Sequence, residues 1–154
     1  MTKETLDAIS ADPKAFLSRG RNIQAVITAK QEHIAEWRGL AESITVTPKF
    51  GGGSSGGGYK KGVVENAVCN IVDLENEIIT EINELVNIEK EIREAIDILL
   101  TDARYKAILE LRYVNHIKLE EIAVKLNYAF RWVQKLNVRA LTAMKKAALR
   151  RIEL

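Results

Sequence analysis

Basic side chains are concentrated in the last third of the sequence. Residues 102–154 carry 12 Lys and Arg against 5 Asp and Glu, a net charge of +7. Lys and Arg bind phosphate oxygens, and Arg also hydrogen-bonds the edge of a guanine. This basic cluster therefore points to an anionic partner such as nucleic acid, although a solvated, lysine-rich helix surface would have the same composition.

The other reactive side chains form no pattern typical of an enzyme. Cys69 is the one cysteine, and it is expected to be a packing residue, while His33 and His116 have no ligand spacing and are expected on the surface. These features exclude a disulfide framework and argue against a metal site. The carboxylates of residues 63–101 follow the solvent face of a helix without a convergent pair. We therefore expect no enzymatic activity, no metal and no cofactor.

Small, turn-forming and apolar residues near the C-terminus follow the spacing of a helix-turn-helix. The motif needs a small residue where its helices cross, and Ala123 stands there. Four residues later, Asn127 tolerates the positive φ of the turn, and after six more Val133 returns to the core. The remaining interior positions are also apolar, namely Ile122, Leu126 and Leu136.

The same spacing predicts which side chains face a DNA duplex. The first turns of the second helix enter the major groove, where Arg donors match guanine and a Gln amide matches adenine. The residues expected to contact bases are Arg131, Gln134 and Lys135. Those expected to contact phosphates are Lys118, Arg139, Lys145 and Lys146. For each of them the alternative is a merely solvated side chain.

Upstream of this motif, heptad spacing predicts two long helices. Asp12 and Pro13 are a helix start, and apolar residues spaced by three and four continue a helix over about 13–43. Apolar residues spaced by seven, with others between them that include Leu74 and Ile82, predict a second helix over about 63–100. Between these helices, 45–62 is a Gly/Ser-rich loop, natural or engineered.

These elements predict an all-α protein with two domains. Residues 1–100 would form a long antiparallel helical hairpin, and 101–154 a helix-turn-helix domain. Residues 63–101 carry a net charge of −8, so the basic first helix is expected to face the acidic second. The apolar stripes are expected to pack on the C-terminal domain or on a second copy, with a simple spacer as the alternative.

No apolar run approaches the roughly 18 residues of a membrane span, and the N-terminus lacks a signal-peptide apolar region. We therefore expect no membrane association and a cytoplasmic location.

Two sequence segments resemble known DNA-binding proteins. Residues 119–123 (LEEIA) and 138–141 (VRAL) are similar to the two ends of region 4 of sigma-70 family factors. A closer resemblance, over about residues 64–145, is to the ArpU/RinA-type late transcription regulators of phages and prophages. It rests on IVDLENEI at 71–78 and RWVQKL at 131–136. At Ala129 and Phe130 the sequence departs from sigma factors, which usually have a Ser N-cap and a polar residue there.

The resemblance implies a sequence-specific phage transcriptional regulator that binds promoter DNA through the C-terminal helix-turn-helix. The hairpin would then mediate homo-oligomerisation or contact RNA polymerase. One alternative is a small terminase-like DNA-packaging subunit, which would assemble into rings. Another is a helical protein-interaction module that does not bind DNA.

Overall fold

A computed structural model describes residues 1–46 and 57–154, and the side chains of 1–43 and 62–154. Every element in these ranges is helical, which confirms the predicted all-α class. Helix α5, Ala103–Leu109, continues into a π-helical turn, Glu110–Val114. The helices are α1 Lys3–Ala11, α2 Pro13–Leu17, α3 Arg19–Val46, α4 Gly57–Leu99, α5 Ala103–Leu109, α6 Leu119–Leu126 and α7 Phe130–Glu153.

Helices α3 and α4 form the predicted long antiparallel pair. The predicted helix start at Asp12 is confirmed, since Asp12 Oδ1 accepts a hydrogen bond from Ala15 N at 3.1 Å. The first predicted helix is interrupted at Ser18, where α2 ends and α3 begins. Helix α4 begins at Gly57, within the predicted loop, and residues 47–56 of that loop lie outside the described residues.

Contacts divide the chain into two compact units. The first unit contains Met1–Ile23 and Leu85–Leu154, and the second contains Gln24–Glu84, so α3 and α4 each contribute to both. The predicted domain boundary between residues 100 and 101 falls within the first unit and stays a prediction.

The first unit is built around α7 and the C-terminal part of α4. One face of α7 presents Ala140, Met144 and Ala148, which are fully buried. Small residues one turn apart let another helix approach closely, and α1 packs here with Ile9 fully buried. The core also contains these buried residues of α2, α4 and α5: Leu17, Ile92, Ile96 and Leu109.

In the second unit, apolar packing and ion pairs join α3 to α4. Ile27, Ile34, Ile71 and Ile78 are buried, as the heptad spacing predicts for α4. Lys30 Nζ lies 2.5 Å from Glu81 Oε1 and 3.1 Å from Glu77 Oε2, and Arg38 Nη2 lies 2.6 Å from Glu75 Oε1. The prediction that the basic first helix faces the acidic second is therefore confirmed for these pairs.

One residue of the predicted α4 stripe lies outside it. Ile82 is 41% exposed, whereas the neighbouring Glu81 is half-buried beside Lys30. The ion pair explains this difference, since Lys30 interrupts the apolar seam of α3 and requires a carboxylate opposite it. No helix in the described ranges is long and apolar enough to span a membrane.

Candidate nucleic-acid interface

Helices α6 and α7 are joined by the tight turn that the sequence predicts. Asn127 ends α6 in the left-handed conformation, with φ 55° and ψ 44°, which confirms the positive φ expected there. The following N–H, of Tyr128, donates to the Ala123 carbonyl at 3.0 Å. This hydrogen bond closes the last turn of α6 and directs the chain into α7.

A small apolar core fixes α6 and α7 against α5. Ile108, Ile122 and Val133 are fully buried, and Ala123 is 6% exposed. The predicted inward positions of Ala123, Ile122, Val133 and Leu136 are confirmed, whereas Leu126 is only half-buried. The buried residues of α7, which include Val133, Leu136 and Ala140, follow one another at three- and four-residue spacing. They therefore lie on one face of the helix, and the opposite face is directed to solvent.

The structure places all three predicted base-contacting residues on this solvent-exposed face. Arg131, Gln134 and Lys135 are exposed, and Val138, one turn beyond them, is 61% exposed. The face therefore presents a guanidinium, an amide and an ammonium within two turns of the helix start. Their roles at a DNA duplex stay a prediction.

The four predicted phosphate contacts are also exposed. Lys118 is the N-cap residue of α6, and Lys145 and Lys146 lie in the C-terminal half of α7. The Arg139 guanidinium carbon lies 5.3 Å from the centre of the Trp132 ring, a cation–π contact that restricts Arg139. Trp132 itself is half-buried against the core of α5, α6 and α7.

The N-terminus of α7 lacks a side-chain cap. Its N-cap is Ala129, whose methyl group accepts no hydrogen bond, as the sequence comparison with sigma factors predicts. The first N–H groups of α7 therefore have no side-chain acceptor, and the helix dipole adds partial positive charge beside Arg131.

The charged residues of α7 are almost all basic, and no carboxylate in the described part of the chain neutralises them. The helix contains seven Lys or Arg residues and one acidic residue, Glu153. Within the described ranges, none of the seven lies within 4.0 Å of a carboxylate, in contrast to Lys30 and Arg38 of α3. Helix α7 therefore presents an unpaired cationic surface on the same side as the predicted base contacts.

Three further basic residues belong to this region but have no predicted role. Arg150 and Arg151 are exposed in the last turn of α7, and Lys125 is exposed in the last turn of α6. The net charge of the segment includes them. The helix-turn-helix pattern gives them no role, because Arg150 and Arg151 lie beyond its end and Lys125 occupies neither an interior nor a base-contacting position of it.

The turn that precedes α6 is held by one contact with α4 and one with the π-helical turn before it. His116 has φ 57°, and its Nε2 lies 3.3 Å from Glu89 Oε1 of α4. The expectation of a surface position for His116 is wrong, since its side chain is only 19% exposed, whereas His33 is 60% exposed as expected. Arg112 Nη1 donates to the Ile117 carbonyl at 3.3 Å and secures the same turn.

In the described part of the chain, no group of three or more His, Cys, Asp or Glu side chains is arranged to hold a metal ion. The expectation of no enzymatic activity stays a prediction. Cys69 is exposed, so the expectation that it packs in the interior is wrong.

Comparisons with known proteins give one result. No curated protein and no solved structure matches the chain. A family of proteins of unknown function, DUF1492, matches residues 45–143, which include the whole of α4, α5 and α6 and the first half of α7. The chain therefore belongs to the DUF1492 family.

Proposed function

We propose that this protein binds double-stranded DNA through α6 and α7 and regulates transcription. The observation that carries the proposal is the exposed basic face of α7, which has no carboxylate partner among the described residues and directly follows a left-handed turn at Asn127. A helix presented in this way fits the major groove, which admits one α-helix.

The order of side chains along α7 supports base contacts by its first turns and phosphate contacts by its later turns. Arg131, Gln134 and Lys135 lie in the first two turns and would read base edges. Lys145 and Lys146 lie about 15 Å further along the helix at 1.5 Å per residue, where the duplex surface offers phosphates. Lys118 and Arg139 would add phosphate contacts beside the turn. Base contacts would supply specificity, and phosphate contacts would supply salt-dependent affinity.

The resemblance to phage late transcription regulators adds a biological setting to this proposal. In that setting the DNA is a promoter, and the α3–α4 hairpin provides a protein contact, either with a second copy or with RNA polymerase. The acidic residues of the hairpin keep it from competing for the same DNA, since like charges repel.

DNA selection from a random duplex library tests the proposal directly. We expect the full chain to enrich a defined sequence, and Arg131→Ala and Lys135→Ala each to weaken binding to it. An Arg–guanine pair contributes about 1–3 kcal/mol, so Arg131→Ala should also relax the preference at one base pair. Lys90→Ala is the matched control, since Lys90 is an exposed basic residue of α4.

Unchanged affinity in both α7 variants would remove the recognition-helix assignment. If no duplex bound even at low salt, the helical protein-interaction module would replace the DNA-binding proposal. A ring of many copies that binds DNA without sequence preference would favour the packaging subunit.

A further inference from the structure

We propose that α4 carries a dimerisation surface for a second copy of this chain. The surface, here named the outer stripe, consists of Val68, Val72, Ile79 and Ile82. These four side chains are between 41% and 58% exposed. Together with Glu75 they step along the helix by four, three, four and three residues, which is the spacing of a coiled-coil seam.

The outer stripe is separate from the seam that already has a partner. Ile71 and Ile78 belong to the inner seam of α4 and are only 7% exposed. A helix that packs on one partner needs one apolar stripe, and its remaining faces are normally polar. A second stripe with heptad spacing indicates that another helix covers it.

The lack of charge at the border of the outer stripe favours a second copy of α4 as that helix. The residue at the same heptad position along this border is Cys69, Asn76 and then Asn83, all uncharged. At 100° per residue, the acidic Asp73 and Glu84 lie further round the helix. If the border positions were acidic, two identical helices would repel each other when they meet. A neutral border permits α4 to pair with itself.

Glu75 is the one charged residue in line with the outer stripe, and Arg38 of α3 pairs with it on the same face. Glu75 Oε1 lies 2.6 Å from Arg38 Nη2, and both side chains line a shallow groove with Gln31 and Ile79. In a twofold dimer the same surface patch of each copy faces the other. A face with one carboxylate and one guanidinium can therefore place each charge opposite the unlike charge of the second copy. Both the heptad spacing and the charges of the outer stripe are therefore compatible with packing against a second copy of itself.

This inference rests on the protein contact that the proposed function gives to the hairpin and assigns that contact to a second copy, although the dimer itself requires no DNA. Its consequence for that function is that each assembly carries two helix-turn-helix motifs. Such an assembly would recognise two half-sites, as twofold DNA-binding proteins do.

The native cysteine provides a direct measurement. Cys69 is exposed and is the one cysteine in the sequence, so a nitroxide on it reports only distances between copies. We expect a defined intermolecular dipolar signal in the full chain, and a mass that rises with concentration to twice 17.3 kDa. Ile79→Glu should raise the dimer dissociation constant about tenfold or more and abolish the dipolar signal. Val72→Asn should act in the same direction with a milder change.

Leu40→Glu is the matched control, since Leu40 is an equally exposed aliphatic residue of α3, 61% exposed, and outside the outer stripe. It should leave the dimer intact, and circular dichroism should show unchanged helix content in all three variants. A chain that stays monomeric at every concentration would overturn the inference, as would a ring of many copies. Equal effects of Ile79→Glu and Leu40→Glu would overturn it as well. Loss of DNA binding with an intact dimer would instead count only against the proposed function.

Discussion

A single backbone conformation sets the angle between the two helices of the candidate DNA-binding motif. Asn127 has φ 55° and ψ 44°, and its N–H and that of Tyr128 close the end of α6. For most L-residues this region costs roughly 1–2 kcal/mol, whereas Gly occupies it freely and Asn occupies it more readily than Ala.

The effect of a substitution at residue 127 on stability should therefore depend on the backbone freedom of the new residue and not on its side-chain chemistry. We expect Asn127→Ala to lower the free energy of unfolding by about 1 kcal/mol and Asn127→Gly to leave it nearly unchanged. Urea denaturation followed by circular dichroism measures both. Asn115→Ala is the control, since Asn115 is exposed at φ −86° and its replacement should cost little. If Asn127→Ala were as stable as the wild type, the left-handed turn would not be the feature that fixes this motif.

At the scale of single residues, positions fixed by local spacing can be predicted from the sequence, whereas positions fixed by long-range contacts cannot. The positions of Asn127 and Val133 follow from the geometry of one short motif, which lies within fifteen residues of sequence. His116 could not be predicted in this way. Its burial depends on Glu89 and on a close approach of Gly20, where an added Cβ would lie 3.7 Å from His116 Cε1.

At the scale of elements, the long helices are predictable from sequence, whereas the short N-terminal helix α1 is not. Six apolar residues spaced by seven mark α4, because an apolar period of 3.5 residues that persists over this length is typical of a long packed helix and not of a strand or loop. Helix α1 gives no such signal, since within nine residues it has only Leu6 and Ile9 as large apolar residues. Its helical state depends on the Thr2 N-cap and on packing of Ile9 against α7, which no local pattern reports.

Ion pairs between α3 and α4 give this pair of helices a dependence on pH. Hydrogen bonds to Glu81 and then Glu77 raise the pKa of Lys30 above its ordinary value of 10.5. A group whose pKa is higher in the folded state stabilises that state fully below the unfolded pKa. The stabilisation disappears as the pH rises through the folded pKa. The contribution of Lys30 should therefore be constant through neutral pH and be lost above about pH 10.5.

Lys30→Gln tests this expectation in alkaline solution. We expect the wild type to lose more unfolding free energy than Lys30→Gln between neutral pH and pH values above 10.5. Burial also raises the pKa of Tyr113, so the wild type loses stability with rising pH for a second reason. The difference between the two proteins removes that shared effect. Lys90→Gln serves as the control and should follow the wild type. Parallel curves for wild type and Lys30→Gln would show that the ion pairs contribute nothing.

At the scale of the whole molecule, the net charge of +2 conceals two opposite distributions. In the second unit, acidic residues of α4 are paired with basic residues of α3. In the first unit, the basic residues of α7 have no carboxylate partner within the described ranges. The opposite face of the helix packs into two apolar cores. Its Val133 and Leu136 belong to one apolar core, and its Ala140 and Met144 belong to another. The cationic face is therefore anchored by two cores at once.

This charge distribution predicts how DNA affinity depends on salt. The logarithm of the association constant should fall linearly with the logarithm of salt concentration, with a slope of about −0.9 per phosphate contacted. Lys145→Gln and Lys146→Gln should each make this slope shallower by about 1 and weaken binding equally for all sequences. Gln134→Ala should leave the slope unchanged and reduce discrimination at one base pair, since its amide carries no charge. Fluorescence anisotropy titrations at several salt concentrations, on the selected sequence and on a scrambled duplex, separate the two effects. If Gln134→Ala changed the slope, or if the lysine variants changed sequence preference, the assignment of bases to the first turns of α7 and phosphates to its later turns would be wrong.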